Sequence, residues 1–272
     1  MSVVLLMGCQ TRLVERNMPA DEGILVPATS EGLAQTQEID TASTVETIAE
    51  LQQEIVVNED LWALLRSNLA LDHQLDKRSV QQEIRWFQKN PKYWQRLESR
   101  MQSYLPYILE QVLKEQIPAE LALLPIIESA LDPYAFSPYG ANGLWQFMSP
   151  TAKQYGLQIN PGYDGRRDIV ASTNAALTYL ERLHKRFDNW LLAVAAYNAG
   201  GGTVSKAVRR GGSKDFFNLS LPRETRAYVP RLLAMAAIVQ NPAKYQVQLP
   251  NVVMRQDFFV IDLPGQFDIA KI

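Results

Sequence analysis

A single cysteine, Cys9, occurs in the 272 residues, which excludes an intramolecular disulfide framework. With only two histidines, His73 and His184, the chain also lacks the ligands for a four-coordinate Cys/His zinc site. No run approaches the roughly 18–20 apolar residues that span a bilayer as a helix. Charge is scarce and balanced: Asp, Glu, Lys and Arg make up 21% of the chain, 27 basic against 29 acidic, for a formal charge of −2. A simple polyanion binder would be clearly basic, so nucleic acid is not an expected partner. There is no Gly-Lys-Ser/Thr phosphate loop, no strand–GxGxxG–helix unit and no Gly-x-Ser-x-Gly elbow. What is present is 47% hydrophobic content, enough for one large domain or two modest ones.

The apolar start ending Leu6-Met7-Gly8-Cys9 looks like the end of a bacterial lipoprotein signal, with Cys9 the lipidated residue. Residues 1–9 are therefore read as a signal remnant and Cys9 as a membrane anchor, with the rest of the chain facing the periplasm from the outer membrane. Residues 10–58 set Arg12 and Arg16 against nine acids and contain no aromatic residue, the composition of an acidic flexible tether. From Leu61 the apolar residues recur at three-to-four spacing, and residues 59–104 read as a helical N-terminal extension. Trp62, Trp86, Tyr93 and Trp94 add bulk there and read as core. Helical patterning continues through 104–115, 119–130, 169–187, 190–198 and 223–240. Residues 246–272 read as a connecting segment with one strand candidate at 252–261. The fold class is mainly α, with a short C-terminal β-like segment.

The informative stretch runs from Ala119 to Ser129. Pro118 suits a helix start, the following residues are almost continuously apolar, and Glu128 closes the segment with no basic residue within nine positions on either side. A carboxyl desolvated in this way has its charged form disfavoured and its pKa raised, as a general acid near neutral pH requires. A solvated helix-end glutamate is the other reading of the same segment. Pro125, three residues before Glu128, reads either as a kink inside the helix or as a helix break. Asp132 follows Glu128 by four, but Pro133 takes it out of helical geometry and into a capping or turn role. No other acid stands in a comparably apolar stretch, so a glycan-cleaving site here would work with one carboxyl. Gly200-Gly201-Gly202 reads as a helix cap and tight turn, and both histidines as surface or core residues.

Further motifs follow in order: Glu128-Ser129-Ala130-Leu131-Asp132-Pro133, Phe136-Ser137-Pro138-Tyr139-Gly140-Ala141, Gly143-Leu144-Trp145-Gln146-Phe147-Met148, Ala196-Tyr197-Asn198-Ala199-Gly200 and Glu224-Thr225-Arg226-Ala227-Tyr228-Val229-Pro230. Together they resemble, over residues 105–245, the catalytic domain of the soluble-lytic-transglycosylase (SLT) family of lytic murein transglycosylases. The resemblance implies a lysozyme-like helical fold, related to goose-type lysozyme. It also implies non-hydrolytic cleavage of the β-1,4 bond between N-acetylmuramic acid and N-acetylglucosamine, leaving 1,6-anhydromuramic acid ends. Peptidoglycan glycan strands are then the expected partner, no metal or organic cofactor is expected, and the chain is expected to be a monomer.

By motif position the resemblance makes Glu128 the catalytic residue and Ser129 part of the substrate-binding set. It places Ser137 near the N-acetyl group, Gln146 and Met148 along the adjoining subsite, and Tyr197 across the cleft from Glu128. Asn198 supports that turn, and Glu224 and Tyr228 close the site from a later helix. Family members often carry LysM modules after the catalytic domain, and residues up to Ile272 contain nothing resembling one. Two rival functions remain open: a goose-type lysozyme-like hydrolase using Asp164 or Asp168 as a second carboxylate, and a non-catalytic peptidoglycan-binding protein.

Overall fold

The computed structural model describes residues 2–6, 60–255 and 258–262. Cys9, the tether expected over 10–58 and the last ten residues lie outside the described residues. Two compact units are present. In the smaller, strand Ser2–Leu6 pairs antiparallel with strand Phe258–Asp262, Ser2 opposite Asp262 and Leu6 opposite Phe258. The strand expected over 252–261 is therefore shorter: Val253 makes only an isolated bridge to Asp60.

The larger unit, Glu59–Asp257, is mainly helical. It opens with α1 (Leu61–Ser67), capped by Asp60, whose carboxylate accepts from the Trp62 amide at 3.0 Å. Next come α2 (Arg78–Lys89), α3 (Lys92–Gln95) and α4 (Glu98–Lys114), the last running unbroken across residue 105. On α2 the buried residues Val80, Ile84 and Phe87 follow helical spacing. Trp62 and Trp94 are core, as expected, but Trp86 is 39% exposed.

Residues 119–129 form two helical pieces, a 3-10 turn at Ala119–Leu123 and α5 at Leu124–Ser129. Pro125 lies in the first turn of α5, where its missing N–H has no intrahelical partner to lose, so it does not kink a helix interior. Two successive left-handed residues, Ala130 (φ 53°) and Leu131 (φ 57°), then reverse the chain directly after Glu128 and Ser129. The expectation that no other acid shares an apolar setting is overturned by Glu120, which is fully buried. Its carboxylate is satisfied by the amides of Ala70 (3.0 Å) and Leu71 (2.8 Å) and by His73 Nε2 (3.2 Å).

After α6 (Ser149–Gln154) and a two-residue hairpin (Ile159–Asn160 with Tyr163–Asp164) the chain enters α7 (Ile169–Phe187). Asp168 caps α7 by accepting from the Ala171 amide at 2.7 Å, and His184, Lys185 and Arg186 fill its last turn, where the helix dipole favours positive charge. The following helix, α8 (Trp190–Ala199), is capped by Asn189 and buries Leu192–Ala196 without a polar break, as a central helix should. It packs against α7, α9 (Gly201–Gly211) and α10 (Arg223–Gln240), while α10 also packs against α2. Gly200, at φ 83°, ends α8 as expected, but Gly201 and Gly202 start α9 instead of continuing a turn. Among the described residues no helix is long and apolar enough to cross a membrane.

Candidate active site

A cleft of about 750 Å³ opens between the end of α5, the loop of residues 134–148, the end of α8 and one face of α10. The loop is held in shape from behind. Ser137 N donates to Ala141 O at 2.9 Å and Gly143 N to Ala135 O at 2.9 Å, so the chain folds back on itself twice. Arg166 braces it by donating from Nη1 to Gly140 O at 2.8 Å and Phe147 O at 3.3 Å, and from Nη2 to Asp164 Oδ2 at 2.7 Å. Burial opposes ionisation of Asp164, but the Arg166 bonds and charge, with a bond from Asn142, hold its carboxyl below the usual range. Gly143 passes so close to Arg166 that a Cβ would meet its carbonyl oxygen at 1.8 Å, and its φ is 81°.

Glu128 stands on the cleft floor, half-buried. Burial pushes its carboxyl from 4.5 up to about 7, the hydrogen bond from Tyr228 partly counteracts this, and the charge of Glu224 adds to it. Tyr228 Oη donates to Glu128 Oε1. Burial and the neighbouring Glu128 charge keep the Tyr228 and Tyr197 phenols well above their ordinary value, so both stay protonated donors. Tyr197 Oη donates to Trp145 O at 2.8 Å, tying α8 to the loop. Tyr179 and Phe147 flank its ring, with centroids 5.4 and 6.2 Å away.

The structure gathers Glu128, Ser137, Gln146, Met148, Tyr197, Asn198, Glu224 and Tyr228 around this one cleft. The Gln146 amide is spent on the loop, donating to Gly143 O at 2.8 Å and Ala135 O at 3.1 Å, and the residue takes a left-handed φ of 48°. Met148 is 43% exposed on the cleft wall. Asn198 Nδ2 donates to Glu224 Oε1 at 3.2 Å and its Oδ1 accepts from Thr225 Oγ1 at 2.8 Å, joining α8 to the start of α10.

Ser129 is not on the cleft wall. Its hydroxyl points back into the fold, within bonding distance of Leu144 O (2.9 Å) and Pro125 O (3.1 Å), and accepts from the Asp132 amide. Asp132 sits in a turn, accepting from the Tyr134 amide and from Arg100, as expected. Asp164 and Asp168, the candidate second carboxylates, do not line the cleft; Asp168 accepts from Tyr163 Oη and caps α7. Tyr139, Thr151, Tyr179 and Arg231 line it without having been expected. The signal for Arg231 is helical spacing, since Glu224, Tyr228 and Arg231 share one stripe of α10. Among the described residues no group of three His, Cys, Asp or Glu side chains could hold a metal ion.

The chemistry this permits is proton transfer by one carboxyl poised near neutral pH, oriented by a phenol that cannot itself ionise there. The family model described as "Transglycosylase SLT domain" matches residues 106–220. Over 223 residues the chain is 41% identical to membrane-bound lytic murein transglycosylase D of Escherichia coli (strain K12), covering 80% of this chain and 49% of that one. A protein of Alteromonas sp. (strain M-1) named for tributyltin chloride resistance is 40% identical over 148 residues, 53% of this chain and 72% of that one. Residues 106–220 belong to the SLT transglycosylase domain family. The chain spans about half the length of the E. coli relative. Among solved structures, the 70-kDa soluble lytic transglycosylase of E. coli aligns with 61% of this chain and 31% of that one, at 27% identity and a TM-score of 0.46. The match to the SLT model includes Glu128, Ser137, Gln146, Met148, Tyr197 and Asn198, whereas Glu224, Tyr228 and Arg231 follow it on α10.

Proposed function

We propose that this SLT-domain chain cleaves the β-1,4 bond between N-acetylmuramic acid and N-acetylglucosamine in peptidoglycan without water, with Glu128 as its single general acid and base. The observation that carries this reading is the Glu128 carboxyl, poised at about 7 on the floor of the cleft and held there by Tyr228. In the first step Glu128 donates its proton to the glycosidic oxygen as the bond from C1 breaks, and the muramic N-acetyl group assists as an oxazolinium. In the second the Glu128 carboxylate takes the proton of the same sugar's C6 hydroxyl, whose oxygen closes on C1 as the C1–oxygen bond of the oxazolinium breaks and the N-acetyl group is restored. The nucleophile is already part of the substrate, so proximity replaces water activation by a second carboxylate. That Asp164 and Asp168 are committed to Arg166, Asn142 and the α7 cap supports this over hydrolysis. Ser137, Gln146 and Met148 would line the path of the strand on the loop side, with Tyr197, Asn198, Glu224 and Tyr228 on the helical side.

The enzyme would work in the periplasm, and its association with a membrane agrees with the E. coli relative's being named membrane-bound. Lipidation at Cys9 would supply the attachment. The test is release of soluble fragments from purified peptidoglycan by the chain and by its Glu128→Gln variant, alongside co-sedimentation of both with the insoluble substrate. Release lost and co-sedimentation kept supports the assignment, whereas undiminished release by the variant defeats it. Co-sedimentation without release by either protein favours the non-catalytic binding reading.

A further inference from the structure

Arg231 is the sole cation on the cleft wall among the described residues. On α10 it follows Tyr228 by three positions, which places it about 4.5 Å further along the helix axis on the same face. The N-terminal helix α2 fixes the side chain from the other side. Arg231 Nε donates to Glu83 Oε2 at 2.8 Å, and the guanidinium lies 5.4 Å from the centre of the Trp86 ring. Trp86 is itself a built platform: Phe87 and Tyr93 meet it edge-on at 5.1 and 5.3 Å, and its ring stays 39% exposed.

This arrangement uses one of the three guanidinium nitrogens. The two terminal amino groups have no hydrogen-bond partner among the described residues, and the side chain remains 39% exposed at the cleft. Nor is the positive charge there to neutralise the catalytic carboxyl, because Glu128 responds to Tyr228 and Glu224 and is raised, not lowered. A planar donor fork, oriented from behind and open in front, is suited to an external carboxylate. Peptidoglycan sugars are uncharged except through the lactyl group at C3 of muramic acid, which is either a bare carboxylate or the attachment of an acidic stem peptide.

We propose that Arg231, positioned by Glu83 and Trp86, is a specificity-determining site for a carboxylate on the C3 substituent of muramic acid. The proposal rests on the glycan-cleaving reading and gives the N-terminal helices a part in choosing substrate. The test uses the full chain carrying Glu128→Gln, so that ligands survive, with and without Arg231→Gln. Three probes are titrated calorimetrically: a glycan tetrasaccharide with stem peptides, the same glycan stripped to its lactyl groups, and an uncharged N-acetylglucosamine tetramer. Arg231→Gln should weaken an acidic probe about tenfold to a hundredfold, as loss of a charge-assisted pair does, and leave the neutral tetramer unchanged. Which acidic probe suffers identifies the carboxylate's source. Glu83→Gln, which keeps the charge but loosens it, should give a smaller loss confined to the same probe. Equal weakening of all three probes, or of none, overturns the proposal. If the chain with Arg231 intact binds none of them, the glycan reading fails first and this proposal with it.

Discussion

Replacing Glu128 by Gln should stabilise the protein, and the size of the gain should depend on pH. In the unfolded chain this glutamate titrates near 4.5, whereas burial in the cleft holds it at about 7. Below pH 4.5 both states carry the neutral acid, which Gln imitates, so wild type and variant should be nearly equal. Between 4.5 and 7 the unfolded state loses its proton while the folded state keeps it, so wild-type stability falls as pH rises. Above 7 the deficit is constant. The interval between the two values corresponds to at most about 3–4 kcal/mol. Because the carboxyl touches solvent in the cleft, about 1–2 kcal/mol is the reasonable figure. For a folded unit of this size that raises Tm by roughly 2–8 °C. Thermal and urea melts of both proteins from pH 4 to 8.5 measure the gap directly. A gap that does not change with pH, or a wild type more stable than the variant at pH 8, would refute the assigned environment of Glu128.

Tyr228→Phe removes the hydrogen bond that holds the Glu128 carboxyl down, so its pKa should climb above about 7 and the alkaline limb of the kcat/KM profile should move to higher pH; an unmoved limb would contradict the pairing. Tyr197→Phe strips a buried donor from Trp145 O and should lower stability by about 1–3 kcal/mol in urea melts. Arg166→Met leaves Asp164 and the carbonyls of Gly140 and Phe147 without their shared donor. It should cost about 3 kcal/mol and open residues 134–148 to protease before the rest of the fold. Gly143→Ala drives a methyl into Arg166 O at a positive φ, and a variant that folds and works like wild type would show that this loop is looser than described.

The elements that were legible in the sequence carry their own local signals. Helix α7 begins and ends where its pattern places it, at Ile169–Phe187, and α10 runs over Arg223–Gln240 as its apolar spacing requires. Ser137, Gln146 and Met148 were legible through their motifs' resemblance to the SLT domain, since the loop that carries them takes its shape from Arg166. What escaped depends on contacts between distant residues. Glu120 is buried because the Ala70 and Leu71 amides and His73, some fifty positions earlier, come to meet it. Arg231 acquires its place from Glu83, 148 positions away, and its guanidinium lies 5.4 Å from the centre of the half-exposed Trp86 ring. The first turns of α9 contain Gly201 and Gly202, which weaken any helical pattern there, so the helix depends on tertiary packing against α8. Ser129 belongs to a motif that otherwise meets at the cleft, yet α5 turns its hydroxyl toward Leu144 O.

The claim that Glu128 acts alone, with the sugar's own hydroxyl as nucleophile, is tested most directly by digesting purified peptidoglycan in ¹⁸O-labelled water and weighing the products. The account predicts muropeptide ends one water lighter than hydrolytic ends, free of label, and missing from a Glu128→Gln digest. Labelled reducing ends would contradict it, making the enzyme a hydrolase and turning attention to Glu224, the other carboxylate on the cleft wall.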